Sequence, residues 1–163
     1  MNTSTLELQS SQSQRNLGDP YLRLQLNEQT AAALPMEQSE KVIFVPVSRI
    51  TPIPNMPNCV LGLLNQSNRV FWVVDLAHML DLKPLDTDAQ KYNIVIVRVG
   101  TIPLGLVVRD VKGVIRVIED SIQSPIGTVA PSLVPYLQGC LFQKKGVLLI
   151  LDTPAIVNSS ILH

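Results

Sequence analysis

The stretch GLLNQSNRVFWVVDLAHML, residues 62–80, decides how this chain is read. An apolar run halts at Asn65-Gln66-Ser67-Asn68, resumes at Val70 and ends on Asp75. Two short apolar runs around a polar tetrapeptide read as a pair of antiparallel strands joined by a tight turn. Asp75 then precedes Leu76-Ala77-His78-Met79-Leu80, where a short acceptor side chain can bond the free N–H groups of a helix start. The segment therefore poses a choice: Asp75 either punctuates the chain or is a reacting carboxylate.

The answer comes from a second copy of the pattern. Gly62, Leu64, Gln66, Val70, Val73 and Asp75 fall on Gly139, Leu141, Gln143, Val147, Ile150 and Asp152, all at an offset of 77. Upstream, Leu34, Val42 and Ile43 fall on Leu106, Val114 and Ile115 at an offset of 72. The extra residues fit in the proline-rich loop. A residue that recurs at the same point of a repeated β pattern is first a structural marker. Asp75 and Asp152 are thus expected to be helix N-caps.

Around this repeat the other elements follow. YLRLQL (21–26) alternates as a strand does, and TAAALPM (30–36) follows a short turn. EQSEKV (37–42) suits one helical turn. IFVPVSRITPIP (43–54) is strand-like, but Pro46, Pro52 and Pro54 cannot donate to a ladder, which places it at a sheet edge or in an extended crossing segment. YNIVIVRVG (92–100) and PLGLVVRDV (103–111) form a hairpin around Gly100-Thr101. GVIRVIEDSIQSP (113–125) is a strand leaving through a turn. YLQGCLFQ and GVLLIL (136–143, 146–151) pair around Lys144-Lys145, and Asp152 opens a last short helix with Pro154 in its first turn. The fold class is all-β with short helices. It is organised as two β lobes related by duplication, lobe 1 over about 20–82 and lobe 2 over about 91–163. The polar linker 83–90 joins them, with chain ends free to cross between lobes. Residues 1–17, rich in Ser, Gln and Thr, are expected to be a flexible tail. Each lobe has few apolar residues, so a shared face between lobes should supply much of the core.

The totals exclude several functions. Thirteen basic and thirteen acidic residues give a net charge of zero, without the basic stripe that nucleic acid requires. Cys59, Cys140, His78 and His163 are isolated, so no metal site and no cofactor is expected. No apolar run approaches the ~20 residues of a membrane helix and no signal peptide is visible, so a cytoplasmic protein without direct membrane insertion is expected. Neither GxGxxG nor GxxxxGK[ST] occurs. Val70, Trp72 and Val74 share one strand face and read as core.

Two carboxylates from related halves also suit a two-Asp hydrolase, where paired acids share a proton. Asp152-Thr153 matches the start of an Asp-Thr-Gly signature, but Pro154 stands where Gly must turn, and the other half reads Asp75-Leu76-Ala77. With no reaction centre, the remaining tools are sheet edges and an interlobe cleft, which suit binding to other proteins. An SH3-like scaffold for some unrelated partner is the alternative within that class.

The segments ALPMEQ…KV, TPIPNMPNCVLGLLNQSNRVFWVVDLAHMLDL and NIVIVRVGTIPLGLVVRDVKGVIRV resemble the CheW domain, the chemotaxis coupling module, over about residues 20–160. The proline-rich TPIPNMP form looks like variants in twitching-motility and phototaxis arrays. The resemblance implies two five-stranded SH3-like barrels and a non-catalytic adaptor. Such adaptors link the cytoplasmic hairpin of a chemoreceptor to the regulatory domain of a CheA-type histidine kinase. It implies a kinase-binding face around Ser39, Val42, Val45 and Val47. It also implies a receptor-binding face from Asn65, Gln66, Ser67, Asn68 and Arg69 to the interlobe groove, including Ile94. The chain departs from the family at the turn: where Asn-Leu-Arg-Gly is usual, Asn65-Gln66-Ser67-Asn68 stands, so Ser67 replaces the Arg and Asn68 the Gly. Ser39 also stands where an apolar residue is common. Either Arg69, two residues beyond Ser67, takes over a contact of the missing Arg, or the receptor preference is changed.

Overall fold

A computed structural model describes residues 17–86 and 88–162; the expected tail lies outside them except for Leu17. The strands are β1 (Asp19–Gln25), β2 (Ala31–Pro35), β3 (Ser39–Pro46), β4 (Val60–Gln66), β5 (Arg69–Asp75), β6 (Lys91–Val99), β7 (Ile102–Val108), β8 (Asp110–Val117), β9 (Leu137–Gln143) and β10 (Gly146–Leu151). Two short helices, α1 (Leu76–Met79) and α2 (Thr153–Val157), follow β5 and β10. Residues 37–42 are not a helical turn throughout: a 3₁₀ turn covers Met36–Gln38, and β3 begins at Ser39.

The strands form two five-stranded sheets, in the orders β3-β6-β7-β5-β4 and β8-β1-β2-β10-β9. The sheets do not divide at the linker. Residues 39–108 hold one whole sheet, while the other combines β1 and β2 with β8, β9 and β10. Lobe 1 is therefore built from 39–108 rather than 20–82, and lobe 2 from both chain ends rather than 91–163. In terms of the repeat, each half gives its leading hairpin to the other half's sheet. β2 pairs in parallel with β10 (Ala33 opposite Ile150), and β7 pairs in parallel with β5 (Gly105 opposite Val73). Parallel partners cannot be hairpin neighbours, so a repeat of this kind needs the strand to come from elsewhere in the chain.

Each sheet curls until its edges meet. After β3 the chain passes through the 3₁₀ turn Val47–Arg49, and Thr51 bridges to Leu63 of β4 with N–H···O bonds of 2.8 and 2.9 Å. In the other lobe Gln123 bridges to Cys140 with two bonds of 2.9 Å. Gly62 and Gly139 make these crossings possible. A Cβ on Gly62 would sit 2.1 Å from the Thr51 carbonyl oxygen, and one on Gly139 would sit 2.3 Å from that of Gln123. The prolines of 46–54 thus lie where the ladder needs few donors: at the end of edge strand β3 and in the crossing segment.

Strand alternation sorts the core into three parts. Val45, Leu64, Phe71, Val73, Ile94, Ile96 and Val107 fill the lobe of residues 39–108. Tyr21, Ala33, Val117, Leu148 and Ile150 fill the lobe of the chain ends. Their neighbours of opposite parity, including Leu22, Leu24, Leu34, Val95, Val97, Leu106 and Leu149, meet between the lobes with Leu76, Leu80, Ile156 and Val157 of the α1 and α2 regions. This shared layer is the largest of the three clusters. At roughly 1.5–3 kcal/mol for each fully buried large side chain, it holds the two lobes as one body.

Candidate docking surfaces

Asp75 ends β5 and Asp152 follows β10, in different sheets. Asp75 Oδ1 accepts the His78 N–H at 3.3 Å, and Asp152 Oδ1 accepts the Ala155 N–H at 3.1 Å. Each caps the helix that follows it, as the repeat implies. Asp75 does more. It is buried, and its Oδ2 accepts the Leu85 N–H at 3.1 Å, tying the linker to the start of α1. The buried Asn27 holds the same linker through Nδ2 to the Lys83 carbonyl at 3.0 Å. Both carboxylates are thus committed to backbone N–H groups. Burial raises the Cys59 and Cys140 thiols, which disfavours their thiolate forms. Among the described residues no cluster of His, Cys, Asp or Glu is arranged to hold a metal ion.

The turn between β4 and β5 forms despite its departures. Ser67 and Asn68 take φ of 52° and 62°, the left-handed pair that a two-residue type I′ hairpin needs. Asn tolerates this region, and Ser does so at some cost. The exposed Asn65 accepts through its carbonyl from Arg49 at 2.7 Å, and Ser67 Oγ lies 3.5 Å from Lys41 Nζ. Arg69 is not free to replace the missing Arg. Its guanidinium is engaged with Glu40 at 2.8 Å, and Arg98 approaches the same carboxylate at 3.7 Å. The Arg69 guanidinium holds the Glu40 carboxyl below its usual range. Gln66 is half-buried beside this network.

Ser39 is half-buried at the start of β3, and Val47 is half-buried in the following 3₁₀ turn. Val42 is 42% exposed, but Val45 is 4% exposed and Ile94 is 0%. Val45 and Ile94 therefore form no surface: both fill the interior of the 39–108 lobe. The reason is parity. Val42 and Val45 are three apart on a strand of period two, so they point to opposite faces. The partner of Val42 on the outer face is Phe44, 61% exposed, with Lys91 Nζ 5.3 Å from its ring centre. Residues 42–45 are all apolar, so the sequence alone did not mark which of them face outward.

The expected burial of Val70 and Trp72 also fails: they are 59% and 37% exposed, while Phe71 and Val73 face inward. Only Val74 on their face is buried, because there the other lobe covers it. Trp72 instead borders an apolar groove between the lobes, with Met56, Ile102, Leu104 and Leu162. An exposed edge-strand pair and an ion-paired turn thus lie on the lobe of residues 39–108, and a Trp-lined groove lies where that lobe meets the other.

A family model described as a CheW-like domain matches residues 20–160. The chain belongs to the CheW-like family. CheW-family proteins are non-catalytic scaffolds. The chemotaxis protein CheW of Thermotoga maritima is 33% identical over 102 residues, covering 62% of this chain and 64% of that protein, a little under two thirds of its length. Its counterpart in Treponema pallidum is 26% identical over 119 residues, covering 71% and 70%. The crystal structure of the scaffolding protein TtCheW from Thermoanaerobacter tengcongensis superposes with a TM-score of 0.71 at 21% identity, covering 83% of this chain and 89% of that one. That likeness establishes the CheW fold of paired, curled sheets. Among the described residues no helix is long and apolar enough to cross a membrane.

Proposed function

We propose that this CheW-like chain is a cytoplasmic adaptor that couples the helical hairpin of a methyl-accepting chemoreceptor to the regulatory domain of a CheA-type histidine kinase. The observation that carries the reading is a pair of apolar surfaces, one on the 39–108 lobe and one between the lobes. One is the Val42–Phe44 strip on edge strand β3, and the other is the groove at Trp72. The first is flat and strand-borne, suited to another β domain of the same kind. The second is concave and apolar, suited to the apolar face of a helix. Ser39 and Val47 flank the kinase strip. The Asn65–Arg69 turn, with Gln66, Ser67 and Asn68, borders the receptor face and sets register through polar contacts. The TPIPNMP segment supplies Met56 to the groove, and the output of the proposed signalling is chemotaxis, phototaxis or pilus-based motility.

The test is titration of a CheA-type regulatory domain with Phe44→Asp, and of a receptor hairpin fragment with Trp72→Ala. Phe44 is exposed, so the variant folds. The reading expects a loss of at least tenfold in kinase-domain affinity, because a charge enters an apolar contact. Trp72→Ala should weaken the hairpin and leave the kinase domain bound. Unchanged binding in both would move the chain to an SH3-like scaffold with another partner.

A further inference from the structure

The lobes are related by the repeat, so the groove at Trp72 has a counterpart on the opposite side of the molecule. At the offset of 77, Met56 corresponds to Leu133, Val60 to Leu137, Trp72 to Leu149 and Val157 to Leu80. The backbone bonds repeat at the same offset: Val60 N–H to Pro57 O has its copy in Leu137 N–H to Val134 O, and Asp75 N–H to Cys59 O in Asp152 N–H to Tyr136 O. The counterparts are nonetheless closed off. Leu133, Leu137, Leu149 and Leu80 are at most 8% exposed, whereas Trp72 is 37% exposed and Met56 and Val60 are half-buried.

The sides differ in lining, where Ile102, Pro103 and Leu104 correspond at the offset of 72 to Thr30, Ala31 and Ala32, and in one loop. Between Thr51 and Met56 the chain has Pro-Ile-Pro-Asn (52–55); between Gln123 and Leu133 it has Ser-Pro-Ile-Gly-Thr-Val-Ala-Pro-Ser (124–132), five residues more. This is where the offset changes from 72 to 77. The short loop buries none of its residues. The long one buries Pro125 and packs Val129 against the interlobe core. The Pro125 carbonyl accepts the N–H groups of Thr128 at 3.0 Å and Val129 at 3.1 Å, which turns Val129 back toward the protein.

We infer that loop 124–132 is a built-in plug: Val129 and its flanking turn occupy the second of two equivalent apolar grooves, so that the adaptor accepts one helical partner rather than two. The inference rests on the proposed receptor reading and deepens it. A molecule derived from a repeat starts with two equal sites. Occupying a groove from within the same chain costs far less entropy than recruiting a second molecule, which favours the loop over a competitor.

The test replaces residues 124–132 with Pro-Ile-Pro-Asn, the sequence of the short loop, in the full chain. A soluble hairpin fragment of a methyl-accepting receptor is titrated against wild type and variant by calorimetry. The dye 1-anilinonaphthalene-8-sulfonate, which marks exposed apolar surface, is titrated in parallel. One hairpin per wild-type chain and two per variant chain is the expected result. One hairpin on both overturns the plug. If wild type binds no hairpin, the receptor reading fails, and the dye alone decides: about twice the dye sites on the variant uphold the plug, and equal sites remove it. Should the shortened loop prevent folding, Val129→Asp is measured in its place under the same outcomes.

Discussion

A carboxylate at the end of a strand is defined by what it bonds. Asp75 and Asp152 occupy one position of the repeat and make the same cap, yet only Asp75 is buried and holds a second N–H, that of Leu85. Losing a cap costs typically ~1 kcal/mol, and leaving the part-buried Leu85 N–H unpaired adds up to about 1 kcal/mol more. Asp152→Ala should therefore lose about 1 kcal/mol in urea unfolding and Asp75→Ala clearly more, with faster hydrogen exchange at the Leu85 amide. Equal losses would mean that the linker bond contributes nothing. Val45 teaches the converse. A residue in the middle of an edge strand is still core when its parity points inward, so Val45→Asp would unfold the lobe and report on no interface. Glu40 titrates with a definite sign. Its folded value is depressed by Arg69, so the small stability it adds is present above the ordinary carboxylate range and fades as pH falls through the folded value.

At the level of elements, the crossings that close each barrel depend on two glycines. Gly62 and Gly139 leave no room for a Cβ because a carbonyl oxygen of the crossing strand lies 2.1 and 2.3 Å from where it would be. Gly62→Ala and Gly139→Ala should each cost ~2 kcal/mol or more in thermal or urea unfolding, since backbone has to move. A loss below 0.5 kcal/mol at either would show that the crossing gives way easily. The turn at Ser67-Asn68 runs the other way. Ser67 pays the penalty of a left-handed residue with a side chain, so Ser67→Asn should add a few tenths to about 1 kcal/mol without moving the strands. Its register is already fixed by the alternation of Leu64, Phe71 and Val73 into the core.

As a whole molecule, neither half of the repeat owns a complete sheet. β1 and β2 stand at the centre of the sheet of the chain ends, and β6 and β7 at the centre of the other. Cutting the chain in the linker between residues 86 and 87 should therefore give two fragments, 1–86 and 87–163, that are unfolded separately and reassemble when mixed. Circular dichroism of each fragment and of the mixture checks this; a cooperative thermal transition in fragment 1–86 alone would contradict it. The interlobe layer makes the same point energetically. Leu106→Ala removes side-chain volume from the face both lobes share, should cost roughly 2–5 kcal/mol, and should lower the stability of both lobes in one transition.

The sequence by itself determined the local structure: strand pairs, turn residues, helix caps, edge prolines and the duplication, because these follow from side-chain periodicity, donor count and the chemistry of a short acceptor before a helix. It also carried the family resemblance on which the choice of partners rests. What it left open was which strands share a sheet and which outward faces stay exposed. Strand parity tells that Phe44 and Val45 point apart, but not which of them fills the interior of the lobe; Trp72 and Val74 share a face and have opposite fates. Those outcomes depend on contacts between residues 70 or more positions apart, where β1 and β2 join β8 and β10 and where a longer loop closes one groove and leaves its twin open. Only the tertiary structure brings such pairs together, since burial is a property of the partner surface and not of the strand that carries the side chain.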